Sequence, residues 1–443
     1  MIGKASCETI LKKALHLSNA EATDVYLLVQ EPALTRFADN LIHQNVSHNN
    51  AQLHVRAVVG RRQGRATTNN LSDDGIARAV QQAHYHANLM PEDPHFNGLP
   101  TPGIQIQVRS YDEATAEFTP EARAKAVQTV CSMAHVQGLS AAGFYRTGTH
   151  EMAVMSSQGA QAYHLGTFAG LLITAISDTS AGWSKGGSWQ AGDIDVEYLA
   201  DEAIGKAVRG RNPQSVEPGE YTIIIDPYAV DDILGALSVY GMGAQLVQEG
   251  RSWMNDLIGQ QAMSPLVSIW DDGTDPKGWP IPFDAEGVPR ERVNVVTDGV
   301  VGDPVYSSYT AGKEGKVSTG HQGSFTGGPS ATNLFMREGT HSLDEMIRST
   351  KHGLYITRFF YTRLAHSRGC VMTGMTRDGT FLVENGEISH PVKNLRFTQS
   401  YVEALKCTEM VGQETRLMLN EVGFATSVPA MKVGRFSFTG VTV

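Results

Sequence analysis

The chain has 443 residues, of which 41% are hydrophobic and 19% charged, a globular composition and not a disordered one. That length holds two or three domains, and 45 glycines point to many turns and much β-structure. The formal net charge is −10, and the densest basic group is Arg56, Arg61, Arg62 and Arg65, which argues against a nucleic-acid partner.

The opening residues, MIGKASCETILKKALHL, read as an amphipathic helix, because Glu8, Lys12 and Lys13 break up what would otherwise be a signal-peptide core. The longest apolar run, Phe168 to Ile176, is strand-sized and far below the ~18 residues of a membrane span. A soluble, cytoplasmic protein with no membrane partner is expected. Asp24 to Val29 reads as a strand. Leu53, Val55, Ala57 and Val59 alternate with more polar residues as in a half-buried strand, and Asn49-Asn50 is expected to form a hairpin turn before them. Leu71 to Asp74 starts a helix that carries Ile76, Ala79, Val80 and Ala83 on one face.

Residues 88–105 hold four prolines and two glycines and read as a linker or long surface loop. Thr119-Pro120 opens a helix running to about Gln137, two strand-like segments follow, and a further helix spans Val196 to Val208. The break at Arg209 to Gly219 sets the expected main boundary. It divides a domain over 1–212, with a sub-boundary near 88–105, from a domain over 216–443. Beyond the break, YTIII is a buried strand and Asp226-Pro227 cap and begin a helix with Val230, Ile233, Leu234 and Leu237 on its apolar face. From Pro265 the chain reads mainly as β, with turn signals at Asp272-Gly273, Asp298-Gly299, Asp378-Gly379 and Asn385-Gly386. The expected fold class is α+β: an N-terminal β-meander and helix domain, then a mainly antiparallel β C-terminal domain.

A metallopeptidase needs convergent ligands and a carboxylate that activates water. Among the fifteen histidines there is no HExxH and no HExxxH. His150-Glu151 falls in a strand-like segment, His43 and His48 lie on opposite faces of an extended segment, and His84 and His86 are about 200° apart on a helix. The four cysteines Cys7, Cys131, Cys370 and Cys407 form no CxxC pair and read as free thiols. Cys370 follows His366 by four residues, but the local glycines argue against the helix that would pair them, and a buried strand cysteine is expected. The carboxylates of Asp271 to Asp275 and of Asp284 and Glu286 read as turn-forming acids. The stretch STGHQGSFTGGPS, Ser318 to Ser330, is the most suggestive. Its glycines permit close approach of a ligand to the main chain, and Ser318, Gly320 and His321 are candidate substrate contacts.

Several strings taken together resemble the TldD/PmbA family, also known as modulators of DNA gyrase. TRFADNLIHQNVSHNNAQLHVRAVVGRRQGRATTNNLS is similar to its N-terminal signature. PFDAEGVP, DGVVGDPVYSSYTA, KVSTGHQG, ATNLFMREG and FLVENGEISHPV are similar to successive later blocks. The resemblance implies two pairing branches. TldD-type subunits carry HExxxH on the helix after the first C-terminal strand and a cysteine ligand close to the C-terminus. Here that helix reads ILGALSVYGMGAQLV without a histidine, and no cysteine follows Cys407. The resemblance therefore implies a TldE (PmbA)-type subunit with no catalytic residue and no metal of its own. Zinc is expected in a TldD-like partner, and the substrates are unfolded or leader peptides. The alternative is a stand-alone peptide-binding homodimer without protease activity.

Overall fold

The computed structural model describes residues 1–323, 327–420 and 423–441. Helix α1 (Lys4–Leu17) packs Leu11 and Ala14 inward and is followed by β1 (Ala22–Ala38), β2 (Leu41–Ser47), β3 (Asn50–Val59) and β4 (Arg62–Thr68). The expected turn at Asn49-Asn50 does not pair its flanking strands. β1 is long enough for two partners on one edge, β3 along residues 22–30 and β2 along residues 33–38. Asn49-Asn50 merely crosses between them, and the tight hairpin lies instead at Asp39-Asn40, with φ of 50° and 60°. His54 consequently lies opposite Tyr26 and Thr67.

Helix α2 (Asp73–Leu89) begins where Ser72 accepts from the Gly75 N–H, and it buries Ile76, Ala79, Val80 and Ala83. Residues 90–112 carry no helix or strand. Then come α3 (Glu113–Ala116), α4 (Pro120–Val136), capped by Thr119, and the strands β5 (Ser140–Ser156), β6 (Gln161–Ile176) and β7 (Ala181–Ser188). These strands extend the first sheet, whose order is β4-β3-β1-β5-β6-β7 with β2 also on β1. Helix α5 (Val196–Arg209) closes this half and packs on β7 and α4.

The second half starts with β8 (Glu220–Ile225) and α6 (Pro227–Leu237). Asp226 stands at the N-cap of α6, but its side chain makes no cap bond. The carboxylate is drawn away by the Tyr355 hydroxyl at 2.7 Å and by Lys206 at 3.0 Å. A π-turn over Ser238–Met242 widens the helix before α7 (Ala244–Gln248). The remaining elements are β9 (Ile269–Asp271), β10 (Val293–Thr297), β11 (Val300–Val301), α8 (Ser308–Glu314), β12 (Asn333–Met336), α9 (Leu343–Arg348), β13 (His352–His366), β14 (Val371–Glu384), β15 (Glu387–Pro391), β16 (Leu395–Ser400), α10 (Tyr401–Lys406), β17 (Thr408–Leu419) and β18 (Ala425–Val441).

Most pairs are antiparallel; β8–β13 and β12–β18 are parallel. β18 pairs with β16, β16 with β14, β14 with β13, β13 with β8, and β8 again with β18, so five strands close a ring. Ile223, Ile225, Phe359, Phe397 and Phe436 belong to one fully buried core with Ile233 and Leu234 of α6, which packs on β13 and β18. Asn385-Gly386 forms the expected hairpin between β14 and β15. Asp378-Gly379 makes no turn. It lies within β14 at a bulge, with φ of 57° and 135°. Cys370 is buried as expected, but in the β13–β14 turn at φ 41° and not in a strand. The whole is an α+β fold.

Candidate functional site

The N-terminal block and three of the later ones, PFDAEGVP, DGVVGDPVYSSYTA and KVSTGHQG, come from distant parts of the chain and contribute residues to one place. β1 and β3 contribute Asp24 and Arg56, and the loop after β9 contributes Asp284 and Glu286. Arg56 donates from Nε and Nη2 to Asp24 at 2.8 and 2.6 Å and to Glu286 Oε1 at 3.1 Å. All three side chains are buried. Burial disfavours the guanidinium charge, but Asp24 and Glu286 outweigh it and hold the Arg56 proton more tightly than usual. Glu286 uses its second oxygen to accept from the Ser308 N–H at the start of α8.

Asp284 accepts main-chain N–H bonds from Glu286, Val288 and Gln322. Burial pushes its carboxyl well above the ordinary range, the neighbouring Glu286 charge adds to this, and the N–H donors oppose it. Thus Asp284 acts as the turn-forming acid the sequence implies, whereas Glu286 ties the two halves of the molecule together. Asp272 and Asp275 likewise accept from main-chain N–H groups two residues on. Asp271 does not: it is fully buried and accepts from the Asn333 N–H and from His321.

The glycine-rich stretch follows. His321 is 0% exposed, with Nε2 2.8 Å from Asp271 and Nδ1 2.9 Å from the Thr319 hydroxyl. Both ring nitrogens are occupied, so the ring is a strut beneath the loop and presents nothing to a ligand here. Gly320 has φ 71°, and a Cβ there would lie 2.2 Å from the Pro289 carbonyl oxygen, which requires glycine. Ser318 is half-buried and lines a cleft of about 660 Å³ with Pro289, Arg290 and Ile104. Of the three candidate contacts, Ser318 alone lines the cleft, and its hydroxyl donates to the Tyr306 carbonyl and accepts from the Gly320 N–H, both at 3.2 Å. Residues 324–326 of the stretch lie outside the described residues.

A second polar cavity of about 320 Å³ is lined by Arg56, Gln63, Gln245, Glu286 and Tyr309. Gln245 lies on α7, directly after the π-turn. That turn falls where the resemblance puts HExxxH, whose five-residue spacing itself calls for a widened turn. Yet Gly235, Val239 and Tyr240 occupy this stretch, and Phe424 approaches within 4.0 Å of where a Gly235 Cβ would stand. Asp231 and Asp232, one turn earlier, are bound by the hydroxyls of Thr426, and of Tyr401 and Thr362. Burial raises the Asp232 carboxyl to about 6. Among the described residues no three His, Cys, Asp or Glu side chains come together as a metal site, so the residues at α6 do not fit a resident zinc ion. Burial also pushes the Cys370 thiol up to about 12, which opposes formation of the thiolate.

One buried group was beyond sequence reasoning. His150 on β5 is 4% exposed, packs edge-on against Trp279, and has no partner on either ring nitrogen. His164 on β6 shares the site and bonds Ser110 at 2.9 Å. Burial lowers His150 to about 3 and His164 to about 4. The sequence shows two strand histidines but not the Trp279 loop that covers them.

No helix among the described residues is long and apolar enough to cross a membrane. The fold matches that of TldE from Thermococcus kodakarensis, with a TM-score of 0.88 at 17% identity over 98% of this chain and 99% of that one. A Thermotoga maritima protein superposes with a TM-score of 0.86 at 19% identity, covering 98% of this chain and all of the other. In sequence the chain is 21% identical to a metalloprotease TldD homolog of Haemophilus influenzae over 95% of its length and 93% of the other's. It is 23% identical to the metalloprotease PmbA of Escherichia coli O157:H7 over 84% and 83%. A metalloprotease of Methanothermobacter thermautotrophicus is 26% identical over 61% of this chain, a match spanning 62% of that protein, and a TldD homolog of Buchnera aphidicola is matched over 47% of its length. Models of the PmbA/TldA metallopeptidase match in order along the chain: domain 1 at 24–87, the central domain at 107–211 and the C-terminal domain at 218–440. With three family models matched in order between residues 24 and 440, this chain belongs to the PmbA/TldD metallopeptidase family.

Proposed function

We propose that this chain is the non-catalytic, TldE-like subunit of a two-subunit metallopeptidase that degrades or processes unfolded and leader peptides. The observation that carries the reading is the α6 region. It has the widened turn that HExxxH needs but no histidine, and among the described residues no three His, Cys, Asp or Glu side chains come together there. The fold shared with a protein described as TldE agrees with this. Zinc and the water-activating carboxylate then reside in a TldD-like partner, while this chain supplies cavity walls and peptide contacts in the cytoplasm.

The test is reconstitution. The chain purified alone should hold less than one equivalent of zinc by mass spectrometry and should cleave no peptide. Co-expression with a HExxxH-bearing family member should yield a complex that cleaves unfolded peptides. Stoichiometric zinc with turnover by the chain alone would overturn the reading.

A further inference from the structure

The charge of the chain is unevenly spread. The net charge is −10, yet residues 346–377 hold six arginines and lysines and no aspartate or glutamate. Most of that stretch is β13 and the first part of β14. There Arg358 stands directly opposite Arg377, a like-charge pair that opposes the pairing of the two strands. Buried Asp378 offsets part of this cost. Arg358 donates from Nε to its Oδ2 at 2.7 Å, and Arg377 Nε stands 3.7 Å from its Oδ1.

Aromatic rings lie against these arginines. Arg358 lies over Trp183 of β7 at 4.4 Å and over Phe360 at 5.3 Å, and Arg377 lies over Phe360 at 4.2 Å. The series continues to Arg363, which lies over Tyr361 at 4.4 Å. Tyr361 has φ 54° where β13 slips register against β14, and it is 64% exposed. An aromatic residue at positive φ is strained, and here the strain turns the ring and its arginine out toward solvent. Beside Arg377 the surface sinks into a recess of about 410 Å³, lined also by Lys393 and Thr380. Arg363 and Lys393 are exposed, and among the described residues neither side chain pairs with a carboxylate.

Stacking leaves the guanidinium edges as the open donors, and two parallel N–H groups on one edge match the two oxygens of a carboxylate. The same stacking argues against nucleic acid. Bases need open ring faces, and arginine already lies over Trp183, Phe360 and Tyr361. A long polyanion would also meet the negative charge of the rest of the chain. A short run of acidic side chains meets neither obstacle.

We propose that the outward face of β13–β14 and the recess beside it dock an acidic segment of a second polypeptide, with carboxylates held at Arg363, Arg377 and Lys393. The recess shares no lining residue with the cavities at Ser318 and Arg56, and the proposal does not depend on the chain being a peptidase subunit.

The test uses the full chain alone and fluorescence anisotropy of a labelled peptide of alternating glutamate and glycine. The chain should bind it, and binding should weaken about tenfold or more between about 20 and 300 mM salt, because exposed charges are screened. A peptide of alternating lysine and glycine should not bind. Arg377→Gln combined with Lys393→Gln leaves Arg358 on Asp378 and should weaken binding about tenfold or more. Arg363→Gln alone, at an exposed position, should weaken it about threefold. Arg348→Gln, which removes a cation on α9 outside this face, should leave it unchanged. All variants should keep the circular dichroism of the parent. Absence of binding at millimolar peptide, or undiminished binding by the combined substitution and by Arg363→Gln, overturns the proposal. So does an equal loss in Arg348→Gln, which would make the attraction non-specific. Tighter binding of a labelled oligothymidylate than of the glutamate peptide overturns it as well, because the face would then serve nucleic acid.

Discussion

Helix α6 with its π-turn and the loop around Glu286 lie in the same half of the molecule and use charge in opposite ways. Around α6 the core is apolar, and the two carboxylates accept from the hydroxyls of Thr426, Tyr401 and Thr362. Around Glu286, an arginine and two acids are taken out of water to join strands β1 and β3 to a loop more than two hundred residues away in sequence. The first region has a widened turn and, among the described residues, no cluster of three His, Cys, Asp or Glu side chains. The second has a costly set of groups engaged in holding the halves in register.

The sharpest way to break this contrast is at Arg56. Arg56→Met leaves Asp24 and Glu286 buried without their cation, and removing one partner of such a set costs about 3–5 kcal/mol. Urea unfolding should show that loss; a change below about 1 kcal/mol would mean that the junction is wet and weakly coupled.

The histidines under Trp279 give the next largest effect. Their folded-state values lie below the usual 6.5, so between that value and about 4 the unfolded chain binds more protons and stability falls as pH falls. Each histidine should cost about 2 kcal/mol between pH 7 and pH 5. In His150→Phe, which keeps an aromatic ring against Trp279, that acid-induced loss should shrink by about 2 kcal/mol when unfolding is followed at the two pH values. An unchanged pH slope would show that His150 reaches water.

The smallest effect belongs to α6. A carboxyl raised to about 6 is held charged at a cost once the pH exceeds its unfolded value. The charged form then costs about 3 kcal/mol by linkage, and Asp232→Asn relieves that cost but loses one acceptor for the Tyr401 and Thr362 hydroxyls, so the variant should stabilise the chain by a net of about 1 kcal/mol above pH 6, with the gain shrinking toward pH 4. Destabilisation instead would mean that the Tyr401 and Thr362 hydrogen bonds need the charge, and the two regions would then be less different than they look.

Much of the fold was legible because its signals are local. Thr119-Pro120 and Ser72 start helices through caps that act within three residues, and Asn385-Gly386 makes a hairpin because both residues accept positive φ. Where local signals failed, a distant partner had intervened. Asn49-Asn50 has turn chemistry, but β1 is long enough to take both flanking strands. Asp378-Gly379 reads as a turn, but β13 pairs on either side of it and turns it into a bulge. Asp226 reads as a helix cap until Tyr355 and Lys206 claim its carboxylate. The site follows the same rule. Glycines flagged the Ser318–Ser330 stretch, yet nothing near His321 in sequence announces Asp271, and nothing near Arg56 announces Glu286.

The closed ring of β8, β13, β14, β16 and β18 also sets a constraint on timing. Ile225 on β8 pairs with Met431, and Ile223 with Val433, so the first strand of this half waits for the last before its edge is covered. Every strand between them must be made and threaded before that pairing can form. Contacts this far apart close slowly and leave β-edges open while they do. During synthesis the C-terminal half therefore passes through a long interval as an incomplete sheet, and in that interval, more than in the finished structure, the chain depends on its neighbours in the cell.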